Sequence, residues 1–249
     1  MIDETTAPRG SAELDRAAEP PPLPLRAVGR VLAVVLAGLG AGHVLFLLVP
    51  SVQLLDVFDL SREQSFGTWV ASSLHLSCAA LSAVGAVVAG RAGSRWAGNW
   101  WLLAAAFLVM SVDETAAVHD RLVEPLQSTF GTSGALLYPW VVVAGLLGLV
   151  FLVVQLRFIR HLGRPTGRDL VLAGIVFVAG AAGLEMIEGV VASSAGLGRD
   201  SLLYDVLVLL EETCELGAVM WVVLILGRHL SASRGGDHPS RAGVAGAGA

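Results

Sequence analysis

Residues 98–120 read GNWWLLAAAFLVMSVDETAAVHD. Apolar residues dominate this stretch up to Met110, and a run of this kind predicts a helix that lies in lipid. Its end nevertheless carries Asp113, Glu114, His119 and Asp120. Either the chain leaves the membrane before these residues, as an interfacial amphipathic helix, or they form part of a site inside the membrane.

The composition of the whole chain favours a membrane protein. Hydrophobic residues make up 55% of the sequence and charged residues only 15%, and the mean hydropathy is +0.71. A soluble domain normally has about 25% charged residues, and the shortfall here is concentrated in long apolar runs. We therefore expect an all-α, polytopic membrane helix bundle.

Six apolar segments are each close to the roughly 20 residues that a helix needs to cross a bilayer. They cover residues 28–49, 67–90, 98–120, 134–156, 169–193 and 203–227. Together they predict one six-helix transmembrane domain over residues 26–230. The polar, low-complexity ends, residues 1–25 and 231–249, are expected to be disordered tails.

The placement of arginine predicts the orientation of the bundle. All 16 basic residues are arginines, and with a cytoplasmic N-terminus all but Arg62, Arg121 and Arg199 fall on the cytoplasmic side. This pattern follows the positive-inside rule, so we expect both termini to lie in the cytoplasm beneath a plasma membrane. The lack of lysine excludes Schiff-base chemistry. The formal net charge of −5 argues against nucleic acid as a partner.

This orientation brings ionisable residues from five segments to a common depth in the outer half of the membrane. Helical spacing also places Asp113 and Asp120 on one stripe, and Glu185 and Glu188 on one side of their segment. Inserting an acidic residue at mid-helix costs roughly 2.5–3.5 kcal/mol. Such a cluster therefore requires bound cations, protonation or a water-filled cavity.

We predict a metal site that combines carboxylates with histidines. A ligand set of this kind suits iron or manganese, with zinc as an alternative. The predicted ligands are Asp113, Glu185, Glu188, Glu212, Glu215, His75 and His119, and the secondary candidates are Asp120, Glu211 and His43. The predicted catalytic groups are His119, His75 and Glu114.

Three classes of function are compatible with this pattern. A metal-dependent hydrolase or oxidoreductase would act on a lipid or another membrane-soluble substrate. A proton- or cation-coupled transporter would use the same acids as titrating groups. A structural or accessory membrane subunit would pair them with the arginines of a partner protein.

One motif carries a resemblance. Ser111, Asp113 and Glu114, followed by His119 and Asp120, give the pattern S-x-D-E-x4-H-D. This pattern resembles uncharacterised bacterial multipass membrane proteins in which S-x-D-E is followed by H-[DE]. The resemblance implies family membership and a multipass fold, and it implies no activity.

Overall fold

The computed structural model describes residues 24–49 and 51–235, and all regular secondary structure in this part of the chain is helical. Eight α-helices are numbered here in chain order. They are α1 (Leu25–Leu48), α2 (Phe66–Arg91), α3 (Ala97–Ala116), α4 (Val118–Phe130), α5 (Trp140–His161), α6 (Arg164–Val178), α7 (Glu185–Ser193) and α8 (Leu202–Gly235). Two 3-10 helices, Gln53–Phe58 and Gly134–Leu136, lie in the connections, and a π-helical turn, Ala179–Leu184, joins α6 to α7.

The expected all-α fold of membrane type is confirmed. Within the described residues, α1, α2, α5 and the continuous α6–α7 unit are long and apolar enough to cross a membrane. A fifth crossing is added if α3 and α4, bent by 76° relative to each other, form one broken span. Six crossings and cytoplasmic termini remain predictions.

The structure differs from the predicted segments at two places. The segment 98–120 is not one helix, because α3 ends at Ala116 and Ala117 adopts left-handed backbone angles (φ 48°) before α4 begins. Part of the predicted C-terminal tail is helical, since α8 continues to Gly235. Residues 1–23 and 236–249, which hold the rest of both predicted tails, lie outside the described residues.

Helix α8 is the central helix of the bundle and contacts α1, α2, α6, α7 and the π-helical turn. Its buried side chains include Leu216 and Leu226, which are almost fully enclosed. In contrast, Leu146, Val150 and Val153 of α5 are more than 60% exposed. This distribution is typical of a bundle whose outer helices present apolar side chains to lipid.

Small residues and hydroxyl groups bring the helices close together. Helices α2 and α3 pack along their length, and an added Cβ at Gly85 would lie 2.8 Å from the ring of Trp100. The two helices are also joined by Ser72 Oγ, which donates to the carbonyl of Ser111 at 2.9 Å, and by Ser111 Oγ, which donates to the carbonyl of Ser72 at 2.9 Å. These contacts fix the separation of α2 and α3 next to the acidic end of α3.

Candidate cation sites

Three side chains meet at the bend between α3 and α4 to form what we call the open site: Glu63, His119 and Asp120. One ligand atom from each lies within 4.8 Å of the other two. His119 Nε2 is 3.6 Å from Glu63 Oε1 and 3.9 Å from Asp120 Oδ1. The three side chains are 23%, 35% and 50% exposed for His119, Glu63 and Asp120, so the site is accessible from outside the bundle.

Asp113 fixes the orientation of His119 from behind. Its Oδ2 lies 2.8 Å from Nδ1 of His119, and its Oδ1 accepts the backbone N–H of His119 at 3.0 Å. In the neutral imidazole, with Nδ1 donating to this carboxylate, Nε2 carries the lone pair that can bind a cation. A carboxylate behind a ligating histidine is the usual arrangement in protein metal sites.

The bend itself results from the same contacts. A helix that begins at Val118 has free backbone N–H groups in its first turn, and the side chain of Asp113 accepts one of them from His119. The left-handed Ala117 lets the chain turn back so that this contact can form. His119 and Asp120 therefore occupy the first turn of α4 instead of extending α3.

A short loop carries Glu63 to the site. Asp59 is buried and forms an ion pair with Arg62 (Nε to Oδ2, 3.1 Å). Ser65 then caps α2, because its side chain accepts the backbone N–H of Thr68 at 3.2 Å. These two anchors, one on each side of Glu63, hold its carboxylate beside the bend.

The charge of Glu63 depends on this environment. Burial raises the pKa of its carboxyl above the usual value; His119 lowers it in part, and the carboxylates of Asp120 and Asp113 raise it further. A divalent cation would attract all of these carboxylates at once and would therefore lower the pKa of Glu63. The open site therefore has an excess of negative charge that a cation would offset.

A second group surrounds a small interior space, which we call the enclosed cavity. Its volume is about 20 Å³, and the polar side chains that line it are His75, Glu114, Glu212 and Glu215. His75 is 1% exposed, and neither of its ring nitrogens has a hydrogen-bond partner among the described residues. Its Nδ1 is 3.9 Å from Glu114 Oε1.

A third group of carboxylates lies on α7 and α8. Trp140 Nε1 donates to Glu185 Oε1 at 2.9 Å, and the indole ring also lies 4.9 Å from the imidazole of His119. Glu188 is 3% exposed and lies beside Glu211 and Tyr204. One oxygen each of Glu185 and Glu188, Oε2 and Oε1, is buried without a hydrogen-bond partner in the described part of the chain.

Close packing against α8 makes this third group possible. Gly180 lies in the π-helical turn just before Glu185, and an added Cβ there would lie 3.0 Å from Cys214 Cβ and 3.1 Å from Glu215 Cγ. The π-helical turn inserts extra backbone relative to an α-helix, which rotates the residues that follow. Turns of this kind are frequent at functional sites.

His43 has a different role from the one that its depth suggested. Its Nδ1 accepts the backbone N–H of Leu60 at 3.2 Å and lies 3.9 Å from Asp59 Oδ1. The imidazole thus anchors the loop that carries Glu63. We therefore do not assign His43 as a ligand of either cation site.

The predicted residues fall into three adjoining groups, and Trp140 links two of them through its contacts with Glu185 and His119. His119 and Asp120 share the open site, and Asp113 supports them. His75, Glu114, Glu212 and Glu215 share the enclosed cavity, whereas Glu185, Glu188 and Glu211 form the third group. Sequence reasoning missed Glu63, whose position in a loop gave no helical spacing from which its direction could be predicted.

The chain was also compared with known proteins. The family model described as a domain of unknown function, DUF8692, matches residues 30–227. The chain belongs to this family. The family match covers all the residues of the three groups described above. No curated protein and no solved structure matches the chain significantly.

Proposed function

We propose that this protein is a metal-dependent membrane hydrolase whose open site binds one divalent cation. The observation that carries the proposal is the convergence of Glu63, His119 and Asp120 to within 4.8 Å, with Asp113 behind the histidine. Three protein ligands that leave a further position accessible are typical of a catalytic metal site. Two carboxylates and one imidazole suit manganese, iron or zinc.

The chemistry follows from the exposure of the site. A bound cation would supply a Lewis acid that lowers the pKa of a coordinated water. Asp113 keeps the Nε2 lone pair of His119 directed at the cation, and Glu114 lies next to Asp113 on α3. Glu63 would be a ligand of the cation through its carboxylate, which the loop before α2 holds beside the bend.

The substrate class follows from the position of the open site in the fold. The site lies where an apolar helix, α3, bends by 76° into the amphipathic α4. An amphipathic helix that follows a membrane helix lies favourably at the interface of lipid and water. A substrate that resides in this interface, such as an ester- or amide-linked lipid, would reach the site without crossing the bundle.

The proposal is tested by measuring metal content and turnover together. Purified protein in detergent is loaded with Mn²⁺, Fe²⁺ or Zn²⁺ and incubated with mixed micelles of ester-, amide- and phosphate-linked lipids, and products are identified by mass spectrometry. We expect product release that is abolished by a chelator and by Asp120→Asn. The same change should remove the cation from the open site.

A matched control is available on the same helix. Glu124 is an exposed acid of α4 outside the open site, so Glu124→Gln should retain both the cation and turnover. Turnover that survives both the chelator and Asp120→Asn would contradict a metal-dependent reaction. Cation binding without turnover of any lipid class would contradict the hydrolase assignment.

A second function is favoured by the third group. The free oxygens of Glu185 and Glu188 are buried carboxylate sites of the kind found on proton and ion pathways. A proton- or cation-coupled transporter would move a proton across proteoliposome membranes in a manner that Glu188→Gln blocks. A pH-sensitive dye inside the vesicles measures this flux, and no flux in the unmodified protein would exclude proton transport.

A further inference from the structure

We propose that the enclosed cavity is a second cation site, separate from the open site, in which His75, Glu114, Glu212 and Glu215 bind one divalent cation. The open site lies at the bend between α3 and α4, whereas this one lies between α2, α3 and α8, where His75 is buried and the three glutamates are half-buried. The second site goes beyond the proposed function, because it would exist whether or not the open site is catalytic.

The size of the cavity matches a single small occupant. Its volume is about 20 Å³, and a space of about 10–15 Å³ measured in this way accommodates one water molecule. A divalent cation is no larger than a water molecule. The other lining residues, Ala71, Leu216 and Val219, are apolar and supply no competing polar group.

The buried imidazole of His75 is a second observation that points to a bound ligand. An imidazole that is 99% enclosed normally satisfies at least one of its nitrogens. Within the described residues neither nitrogen of His75 makes a hydrogen bond of good geometry, and the polar group beside the ring is the carbonyl of Ala71, one helical turn earlier. A cation coordinated by one nitrogen would satisfy this group.

The charges around the cavity require compensation. Three carboxylates line it, and no arginine does. Carboxylates brought together away from bulk water repel one another unless a cation or protons neutralise them. A divalent cation would offset two of the three charges, and the imidazole would supply a fourth ligand in a set that suits manganese or iron.

Binding requires a modest rearrangement. Among the described residues, the three ligand atoms that lie within 4.8 Å of one another are those of the open site, and His75 Nδ1 is 3.9 Å from Glu114 Oε1. The cavity carboxylates therefore have to rotate inward to coordinate one cation. Each glutamate side chain has three rotatable bonds through which its carboxylate can turn toward the cation.

The stoichiometry of cation binding tests this site independently of the open site. Purified full-length protein is saturated with Mn²⁺, washed, and analysed for metal per chain. We expect two equivalents in the unmodified protein, one in Glu212→Gln or Glu215→Gln, one in Asp120→Asn, and none in Asp120→Asn combined with Glu215→Gln. Glu124→Gln should retain two.

A spectroscopic measurement identifies the histidine. In Asp120→Asn, electron spin-echo spectra of the remaining Mn²⁺ should show nitrogen coupling that is lost when His75→Gln is added. Since His75→Gln could disturb packing, Glu212→Gln serves as a second variant, with thermal unfolding as the check on folding. Manganese that remains at two equivalents in folded Glu212→Gln and Glu215→Gln would overturn the proposal.

The outcomes separate this proposal from the proposed function. A single equivalent that is lost only in Asp120→Asn would remove the second site and leave the open site in place. A single equivalent that is lost only in Glu212→Gln and Glu215→Gln would remove the open site as a cation site and leave the second site in place. No Mn²⁺ in the unmodified protein, with none for Fe²⁺ or Zn²⁺ either, would overturn both.

Discussion

Asp113 makes two contacts with a single residue, His119, and each has a different consequence. The contact with Nδ1 determines which ring nitrogen faces Glu63 and Asp120, whereas the contact with the backbone N–H stabilises the start of α4. The residue therefore links the geometry of the open site to the local fold. Replacing its carboxylate separates these two effects.

We predict that Asp113→Asn lowers the affinity of the open site for a divalent cation by about 10- to 100-fold, the usual effect of losing a carboxylate behind a ligating histidine. The amide is nearly the same size, so the fold should be retained. Isothermal titration with Mn²⁺ measures the change, and Glu124→Gln is the control. Unchanged affinity in Asp113→Asn would show that His119 is oriented by other contacts.

We predict a pH-dependent effect of Glu63→Gln on stability. The folded state raises the pKa of Glu63 above its ordinary value of 4.5, so the fold favours the protonated acid. This stabilisation is complete below the ordinary pKa and is lost as the pH rises through the raised value. Glutamine resembles the protonated acid at every pH and avoids this loss.

In the presence of a chelator, Glu63→Gln should therefore melt at the same temperature as the unmodified protein near pH 4 and at a higher temperature near pH 7. Thermal unfolding in detergent across this range measures the difference. With saturating Mn²⁺ at neutral pH the order should reverse, because only the unmodified protein gains binding energy at the open site. A lower melting temperature for metal-free Glu63→Gln at pH 7 would contradict the assigned sign.

At the scale of elements, helical periodicity predicted which ionisable residues share a face of their helix but not how the chain bends. His75, Glu212 and Glu215 come from helices whose spacing and direction could be inferred from sequence, and the structure places them around one cavity. The break at Ala117 could not be predicted, because neither glycine nor proline marks it. It depends on a contact between Asp113 and His119 that forms only once the chain has turned.

The π-helical turn is a second element that sequence periodicity does not reveal. Its effect is to set Gly180 close against α8, where an added Cβ would lie 3.0 Å from Cys214 Cβ and 3.1 Å from the carbonyl oxygen of Glu211. We predict that Gly180→Ala destabilises the protein by about 1–3 kcal/mol through overpacking and displaces Glu215 from the enclosed cavity.

Unfolding of Gly180→Ala in detergent measures the loss of stability. Metal analysis measures the displacement of Glu215 as a loss of one Mn²⁺ equivalent. Gly174→Ala, in α6, is the control, since an added Cβ there meets nothing within 4 Å. Its stability should be unchanged or slightly raised. Equal stability of the two variants would contradict the importance of the close approach.

At the scale of the whole molecule, composition was sufficient to predict an all-helical membrane protein, because long apolar runs have few alternatives to helices in lipid. The number of crossings is harder to infer, since α3 and α4 count as one crossing only if they form a broken span, and α8 combines glutamates with apolar residues. Orientation rests on the arginines and is tested directly by chemical labelling.

We predict that the open site faces the outside of the cell. In a protein with Cys78 and Cys214 replaced by alanine, Ser128→Cys on α4 should react in intact cells with a maleimide that cannot cross membranes. Ala92→Cys, after α2, should react only after the cells are permeabilised. Both positions are exposed in the structure. The opposite labelling pattern would invert the predicted topology.

Ala117 introduces backbone strain at the bend between α3 and α4. A left-handed backbone conformation costs a residue with a side chain roughly 1–2 kcal/mol, so the backbone at the bend is strained. The hydrogen bonds of Asp113 with His119 stabilise the bend against this strain. A cation at Glu63, His119 and Asp120 would add to these contacts, so that its binding would hold the first turn of α4 more firmly at this angle to α3.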